Sequence, residues 1–505
     1  MTTFERCSIA SPVDTPKPNQ GRTLLSVAGV EMWERFSFYG MQAIMLYYLY
    51  HSAADGGLGI DRADATALMG AYGSLVYLCT LGGGWVADRL TGAEKTLLGG
   101  AVILVVGHLV LAVVPGIPGV TTGLLAVAIG SGALKASAIT VLGTAFSENE
   151  GRRDAGFQIF YLGINVGALL GPLFTGWLHN TRGFHYGFGA AAALMLVGLT
   201  NYLITRPQNI AVQPTDPLPR ESRARTIAVA LAGIATVVAM VYLGWLNVGS
   251  AANVFLALTL GAAALLFVRM LRDNSLNDIE RNKVTAFIPI FLASTAFWAV
   301  LNQTYGVFAV YSDIRLDRTI DLFGASREIP ASWTQSLNPA FILILSGPAA
   351  LLWAALGNRI GSATKMAIGV IISGCGLLVL LPFTGGGPAS TPFLALTAAV
   401  LIITCGELLV GPVGMSTTTG LAPASYRTRF SALYFLTMAA GTAAAGVISR
   451  LYNPDDATTE RIYFTGCGLT VIVIGTMVLL LGRRINHLVQ AGSADTPAPE
   501  RSIRE

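Results

Sequence analysis

Long apolar segments are the feature that most restricts what this 505-residue chain can fold into. An apolar run of about 20 residues is long enough to cross the hydrocarbon core of a bilayer. Charged residues make up only 12% of the chain, roughly half their usual share in soluble domains. The sequence therefore predicts an all-α polytopic membrane protein with 14 transmembrane helices. The runs lie near residues 24–50, 64–87, 96–115, 119–141, 155–178, 186–204, 226–246, 252–271, 284–311, 337–357, 366–384, 391–416, 430–449 and 464–482.

The basic residues indicate how these helices are oriented. Cytoplasmic loops of membrane proteins carry an excess of Lys and Arg. An even number of spans puts both termini on one side of the membrane. That side holds 23 of the 32 Lys and Arg, against seven on the other side and two within spans. We therefore expect a multi-pass plasma-membrane protein with both termini in the cytoplasm.

Composition also argues against several partners and cofactors. The net charge of +4 is too small to indicate nucleic-acid binding. The first 22 residues are polar and show no cleavable signal peptide. The cysteines have no CxxC or Cys/His spacing, which favours small packed residues over disulfides or metal ligands. No metal site and no cofactor is expected; the cysteines are Cys7, Cys79, Cys375, Cys405 and Cys467.

A short internal repeat indicates that the chain contains two parallel halves. Residues 87–95 read ADRLTGAEK and residues 357–365 read GNRIGSATK, with matching Arg, Ala and Lys. Each segment follows the second run of its half and precedes the third. Internal repeats of this kind are typical of secondary transporters. We expect two bundles of six helices.

Two helices are left over, near 226–246 and 252–271, and polar linkers flank them. They indicate an inserted hairpin that packs outside the core and has no direct role in chemistry. The predicted division is an N-terminal cytoplasmic tail (1–22), an N-terminal bundle (23–205), linkers with the hairpin (206–283), a C-terminal bundle (284–485) and a C-terminal cytoplasmic tail (486–505).

Ionisable residues inside the first run are the strongest functional candidates. Such residues usually face the protein interior or a water-filled cavity. Glu31 and Arg35 are four residues apart, so they are neighbours on one helical face and can pair. With Glu34 beside them, we favour a proton or substrate site that lines a watered cavity over a static salt bridge.

Two further charges predict a polarised cavity. Lys135, with Arg35, places positive charge at membrane depth in the N-terminal half, and Glu407 places negative charge in the C-terminal half. A cavity with one wall of each sign suits a zwitterion. Small residues around Lys135, in GSGALKASAIT, would let another helix approach closely. His108 stands alone, and we expect it to be packed and hydrogen-bonded.

The stretch EMWERFSFYG (31–40) resembles the ExxERFxYYG signature of proton-coupled oligopeptide transporters, a family of the major facilitator superfamily. The resemblance covers about residues 22–485, and the inserted hairpin matches bacterial members. It implies the major facilitator fold and a bacterial cell membrane. It also implies a monomeric symporter that couples proton influx to uptake of di- and tripeptides by alternating access. Further similar segments are 152–176, GFHYGFGAAA (183–192), FWAVLNQ (297–303), SLNPAFIL (336–343) and GELLVGPVG (406–414).

The resemblance implies a role for each matching position. Proton coupling is assigned to Glu31, Glu34 and Arg35. The peptide carboxylate is assigned to Arg35 and Lys135, and the peptide amino terminus to Glu407. Further substrate-cavity positions are Tyr39, Tyr77, Asn165, Trp298 and Asn338. Asp88 and Arg89 match a cytoplasmic loop that latches the two halves.

Two positions depart from the family pattern. Gln42 stands where relatives usually have Arg, and Asn302 stands where they usually have an acidic residue. The change is charge-balanced, and losing only one partner would have stranded a buried charge. The two amides could still hydrogen-bond and close an outer gate, but they could not titrate. An altered substrate range or weakened proton coupling is therefore the alternative to ordinary peptide symport.

Three other functions fit the sequence less well. A channel needs a continuous pore, whereas two repeated halves suit rocking around a central site. A membrane-embedded enzyme would need a nucleophile or metal motif such as GxSxG or HExxH, which is absent from the sequence. A receptor without transport would be distinguished only by an uptake assay.

Overall fold

The computed structural model describes residues 20–494, except 146–149, 207–212, 323–324, 357–358 and scattered positions between 220 and 248. Six helices form an N-terminal bundle. They are α1 (Gln20–Tyr50), α2 (Arg62–Val86), α3 (Ala93–Val113), α4 (Gly116–Ala145), α5 (Glu150–Arg182) and α6 (Phe184–Thr205). Helix α1 packs against α5 and α6, and α4 packs against α2 and α3. A π-helical turn, Ala87–Thr91, continues α2 towards α3.

The remaining described helices are α7 (Ala251–Leu271), α8 (Asp278–Leu301), α9 (Val307–Ile314), α10 (Leu337–Leu356), α11 (Ser362–Leu378), α12 (Phe393–Leu421), α13 (Arg427–Ser449) and α14 (Ala457–Ala494). Short strands β1 (Leu316–Asp317) and β4 (Thr391–Pro392) pair in parallel. Strands β2 (Thr319–Leu322) and β3 (Ala325–Glu328) form an antiparallel hairpin. Short 3-10 turns lie at Ala53–Asp55, Asn302–Tyr305, Ala331–Ser336, Leu381–Phe383 and Ala424–Tyr426.

The helices confirm the predicted all-α membrane architecture. Among the described residues, twelve helical segments are long and apolar enough to cross a membrane. Helix α1, with 31 residues, is about 46 Å long and exceeds the thickness of a bilayer core as well. The predicted run 284–311 is divided between α8 and α9. Part of the run 226–246 lies outside the described residues, and those described within it include helical ones such as Thr226 and Thr236.

Helix α7, the second helix of the predicted hairpin, packs against α13 and α2 and so touches both halves of the molecule. Ala67 and Ala71 of α2 form a small apolar cluster with Ala251 and Ala252 of α7. Small side chains at these positions let the helices approach closely. Helix α7 therefore lies along the seam between the two halves.

A loop also fixes α7 to the C-terminal bundle. Tyr426 precedes α13 and Asp273 follows α7. The Tyr426 hydroxyl donates a hydrogen bond to the Asp273 carboxylate. Hydrogen bonds from Tyr426 and Ser275 stabilise the carboxylate and lower the pKa of Asp273 to about 2. Asp273 therefore remains ionised, and this contact remains formed, at neutral pH.

The two bundles meet at the end of the molecule where α1 finishes and α2 begins, which we call the closed end. Tyr47 Oη donates to the Ala309 carbonyl at 3.2 Å, and Ser449 Oγ donates to Thr66 Oγ1 at 3.0 Å. A Cβ atom on Gly70 of α2 would lie 2.4 Å from Gly446 Cα of α13, so only glycine permits this approach. Among the described residues, the ion pairs Arg62–Asp455 and Arg450–Asp64 and a His51–Asp313 hydrogen bond of 3.1 Å also cross the closed end.

A disulfide between positions 66 and 449 should form readily in the double variant Thr66→Cys, Ser449→Cys. The two hydroxyl oxygens are 3.0 Å apart, which is close to the geometry that a disulfide needs. We expect the two halves to stay joined on a non-reducing gel after protease cleavage at a site inserted in the linker. Each single cysteine variant is the control. Separation of the halves in the double variant would show that the closed end does not form.

Candidate functional site

Glu31, Glu34 and Arg35 form a compact charged group on α1, which we call the α1 cluster. Arg35 Nε lies 2.5 Å from Glu34 Oε2 and 3.2 Å from Glu31 Oε1, so the predicted pairing of Glu31 with Arg35 is confirmed. The exposed fractions are 0%, 0% and 3% for Glu31, Glu34 and Arg35. The three side chains are therefore enclosed by protein.

This enclosure corrects the expectation that the charged face of α1 lines open water. Helix α5 lies directly on α1 because glycines line the contact. A Cβ atom on Gly167 would be 2.4 Å from Met32 O, and one on Gly171 would be 2.5 Å from Phe36 O. With α5 and α4 packed so closely, the charged face of α1 is turned into the bundle.

Ser131 of α4 completes the α1 cluster and was not identified from the sequence. Its hydroxyl donates to Glu34 Oε1 at 2.7 Å and accepts a hydrogen bond from Arg35 Nη2 at 3.3 Å. Ser131 lies one helical turn before Lys135, on the same face of α4. That i, i+4 spacing from Lys135 was the available signal.

Within α1 the cluster has one more negative than positive charge, and Lys135 of α4 lies near enough to interact electrostatically with Glu31 and Glu34. It contains two carboxylates and one guanidinium, and neither oxygen of Glu31 accepts a hydrogen bond among the described residues. A net charge enclosed by protein is costly unless it is neutralised. Either Lys135 or a proton on one carboxylate can supply the balancing positive charge, so the cluster can bind and release a proton.

Aromatic side chains connect the cations of the N-terminal half to the space between the bundles. Arg35 Cζ lies 5.8 Å from the centre of the Tyr39 ring, and Lys135 Nζ lies 5.4 Å from that of Tyr77. These are cation–π distances. Tyr39 in turn stacks on Tyr305 of the other half at 6.1 Å between ring centres. Tyr305 was also missed, since nothing in its local sequence marks it.

Glu407 of α12 forms the opposite wall. Asn338 of α10 donates from Nδ2 to Glu407 Oε2 at 2.7 Å and to Thr404 Oγ1 at 3.0 Å. No Lys or Arg pairs with Glu407 among the described residues, and its side chain is partly accessible. This carboxylate is therefore available for a cationic group of a ligand, and Asn338 holds it in place.

The two walls face a common space. Tyr39 and Tyr77 each lie close enough to both Arg35 and Glu407 to interact electrostatically with both. The other predicted cavity residues are more buried. Asn165 donates to the Tyr161 carbonyl at 2.9 Å, and Trp298 is 9% exposed.

The predicted contact between Gln42 and Asn302 is only partly realised. Both line one cavity of about 10 Å³ at the closed end, close to the smallest space that holds a water molecule. They are not hydrogen-bonded to each other. Asn302 ends α8 and donates to the Trp298 carbonyl at 2.8 Å, while Gln42 Oε1 has no partner in the described part of the chain. The direct hydrogen bond that the two amides could have made is not formed in this structure, because Asn302 donates its amide N–H to the helix that precedes it.

Asp88 and Arg89 contact the polar linker in this structure. Arg89 Nη1 lies 2.7 Å from Asp216 Oδ2, and the Asp216 amide donates to the Asp88 carbonyl at 3.1 Å. These two contacts place the described part of the linker against the π-helical turn. A latch between these residues and the C-terminal half stays a prediction.

Two expectations about other residues have different outcomes. His108 is fully buried and neither ring nitrogen has a hydrogen-bond partner among the residues that the structure describes, so the predicted hydrogen bonding is wrong. Cys79, Cys405 and Cys467 are free and partly accessible, and Cys7 lies outside the described residues. Cys375 is free but exposed, so the expected packing is wrong for this residue. In the described ranges, no group of three or more potential metal ligands occurs.

Comparison with known proteins gives a consistent result. Residues 94–463 match the family model PTR2, described as the POT family. A relative from Bacillus subtilis (strain 168), the uncharacterized transporter YclF, is 37% identical over 475 residues, covering 93% of this chain and 95% of the relative. The di-/tripeptide transporter of Lactococcus lactis subsp. cremoris is 35% identical over 487 residues, covering 93% and 97%.

Solved structures agree with this match. The crystal structure of a peptide transporter POT in complex with sulfate superposes with a TM-score of 0.87 at 35% identity, covering 92% of this chain and 95% of that one. A POT family transporter in complex with a thioalcohol conjugated peptide gives 0.86 at 32% identity, covering 93% and 99%. The predicted major facilitator fold is confirmed.

Introducing a single charge at the closed end should loosen it. Gln42 is 5% exposed, so Gln42→Arg beside a neutral Asn302 would bury an unpaired cation, at a cost of about 3–5 kcal/mol. We expect the disulfide between positions 66 and 449, in the double cysteine variant above, to form at least about tenfold more slowly. Adding Asn302→Glu should restore most of the rate. Equal rates with and without Gln42→Arg would contradict this account of the gate.

Proposed function

Because this chain belongs to the POT family of transporters, we propose that it is a symporter that couples proton entry to the uptake of di- and tripeptides by alternating access. Its relatives are transporters, so it is not an enzyme. The observation that carries the proposal is the buried α1 cluster, in which two carboxylates hold one guanidinium. Through Arg35 and Tyr39 this cluster reaches a space with Glu407 on its far wall.

The polarity of the site favours a peptide as substrate. A peptide is a zwitterion, with its carboxylate and its ammonium group separated by the length of its backbone. Arg35 and Lys135 supply positive charge on one side, and Glu407 supplies negative charge on the other. A relative named as a di-/tripeptide transporter and a related structure with a bound conjugated peptide support this choice.

The coupling step follows from the charge count of the α1 cluster. With both carboxylates ionised, Glu31 and Glu34 hold Arg35 between them. A proton that binds either carboxylate removes one of these attractions. Arg35 is then released to interact with the peptide carboxylate, while Glu407 and Asn338 receive the amino terminus. Loss of the proton on the other side of the membrane restores the original pairing and helps to release the peptide.

The closed end gives this structure a place in the transport cycle. In the proposed orientation, with both termini in the cytoplasm of a bacterium, the closed end faces outward. Side chains such as Lys135 and Glu407 remain partly accessible, and with the outer end closed the proposal assigns this structure to an inward-facing state. The same proposal includes the division of the chain into two tails, two bundles and a linked hairpin. It also includes the proton as the only coupling ion and transport by a monomer.

One observation favours a variant of this function. Gln42 and Asn302 are neutral where family members usually carry a charged pair, and they do not bond to each other here. Closure instead involves His51–Asp313, Arg62–Asp455 and Arg450–Asp64. The second candidate is therefore a peptide-family transporter with an altered substrate range or weaker proton coupling.

Substituting Glu34→Gln should uncouple transport from the proton gradient. The amide has nearly the shape of the carboxyl group but cannot exchange a proton, so the cluster loses a titrating group. We expect accumulation of a labelled dipeptide in liposomes with an imposed pH gradient to fall to the equilibrium level. Exchange of labelled for unlabelled peptide should persist. Accumulation against a concentration gradient in this variant would refute the assignment of Glu34.

Glu407 is tested best by varying the peptide as well as the protein. In Glu407→Gln the carboxylate that meets the peptide ammonium is neutral, and losing a charge-assisted contact weakens binding about 10–100-fold. We expect this loss for dialanine in competition assays. N-acetyl-dialanine, which has no ammonium group, should compete weakly and equally with both proteins. An equal loss of binding for both peptides would show that the substitution alters the fold rather than a contact with the peptide ammonium group.

A further inference from the structure

We propose that Ser131 is a positioning residue for proton coupling, whose hydroxyl group adjusts to the protonation state of Glu34. The inference rests on the proposed function and extends it to a residue outside the α1 helix. Ser131 is fully buried and is 97 positions from Glu34 in sequence, yet its Oγ lies 2.7 Å from Glu34 Oε1.

Ser131 is the sole neutral donor to the cluster within the described part of the chain. Glu34 Oε2 and both oxygens of Glu31 accept no hydrogen bond from the described residues, although they lie near the Arg35 guanidinium. Most buried polar side-chain atoms have at least one hydrogen-bond partner. The protonation state of Glu34 therefore depends strongly on this one hydroxyl group.

The backbone around Ser131 is held firmly in place. A Cβ atom on Gly130 would lie 2.7 Å from Gly100 O of α3, and one on Gly132 would lie 2.4 Å from the carbonyl carbon of Cys79 in α2. Two neighbouring helices thus contact α4 directly, one on each side of Ser131. The hydroxyl can rotate, but its oxygen stays within reach of α1.

A serine hydroxyl suits both protonation states because it has one donor and two acceptor sites. When Glu34 is ionised, Ser131 donates to it and accepts from Arg35 Nη2. When Glu34 carries a proton, its own O–H can donate to Ser131, and the serine proton turns towards another acceptor, such as the carbonyl one turn earlier in α4. The proton that neutralises Glu34 therefore reverses this hydrogen bond without moving a helix.

The charged and titratable groups that face Glu34 are Glu31 and Arg35 of α1, Tyr39 of α1, Tyr72 of α2 and Lys135 of α4. Ser131→Ala leaves all of them in place and removes only the hydroxyl group. The ionised form of Glu34 then loses its donor, so the proton is held more tightly. The external pH at which proton-driven uptake is half-maximal should rise by about one unit.

The test compares three variants in liposomes at fixed internal pH, with external pH varied and uptake normalised to peptide exchange. Ser131→Ala is the test variant. Ser131→Thr keeps a hydroxyl group and should restore the pH profile of the natural protein. Ser137→Ala is the matched control, since Ser137 is equally buried in α4 but its hydroxyl has no partner within the described ranges.

A shifted midpoint in Ser131→Ala alone, restored in Ser131→Thr, supports the inference. A midpoint that stays in place in Ser131→Ala, whatever happens to the maximal rate, overturns it, and so does an equal shift in Ser137→Ala. If Ser131→Ala does not fold, a Ser131→Thr profile that differs from the natural one by a unit or more also overturns it. Uptake by the natural protein that ignores pH altogether would instead refute proton coupling itself.

Discussion

Two carboxylates and one guanidinium enclosed on a single helix are the constraint on which the rest of this structure depends. Charges out of contact with water are stable only when they are paired and hydrogen-bonded. Helix α1 meets this need by holding Arg35 between Glu31 and Glu34, with Ser131 of α4 against them. The glycines of α5 then let that helix cover the group. The N-terminal bundle is thus organised around a buried cluster of two carboxylates and one guanidinium, with Lys135 as the nearest further cation.

The link from this cluster to a substrate passes through aromatic side chains. Arg35 lies beside Tyr39, and Tyr39 stacks on Tyr305 of the other half. A change in the ion pairing of Arg35 therefore alters contacts at the seam between the two bundles. On the far wall, Asn338 fixes Glu407 without neutralising it. In the proposed function, the proton site and the site for the peptide carboxylate thus share Arg35, while the peptide amino terminus meets Glu407 on the far wall.

The sequence predicted those features that depend on residues close together in the chain, namely the helices and the ion pair within α1. The helix runs follow from apolar length, and the Glu31–Arg35 pair follows from a separation of four residues. Ser131 and Tyr305 were missed because their roles arise from contacts between distant segments, which periodicity does not report. The Gln42–Asn302 hydrogen bond, which the sequence allowed, is not formed because Asn302 follows the last residue of α8 and donates to the Trp298 carbonyl. The open, watered face of α1 was wrong because the closeness of α5 depends on tertiary packing at Gly167 and Gly171.

The central claim is that a proton gradient drives peptide accumulation by this chain. The most direct measurement is uptake of labelled dialanine by the purified protein in liposomes, with and without an imposed pH gradient, acid outside. The account predicts accumulation above the external concentration with the gradient, and equilibration only when a proton ionophore is added. Uptake that reaches the same level under both conditions would contradict it.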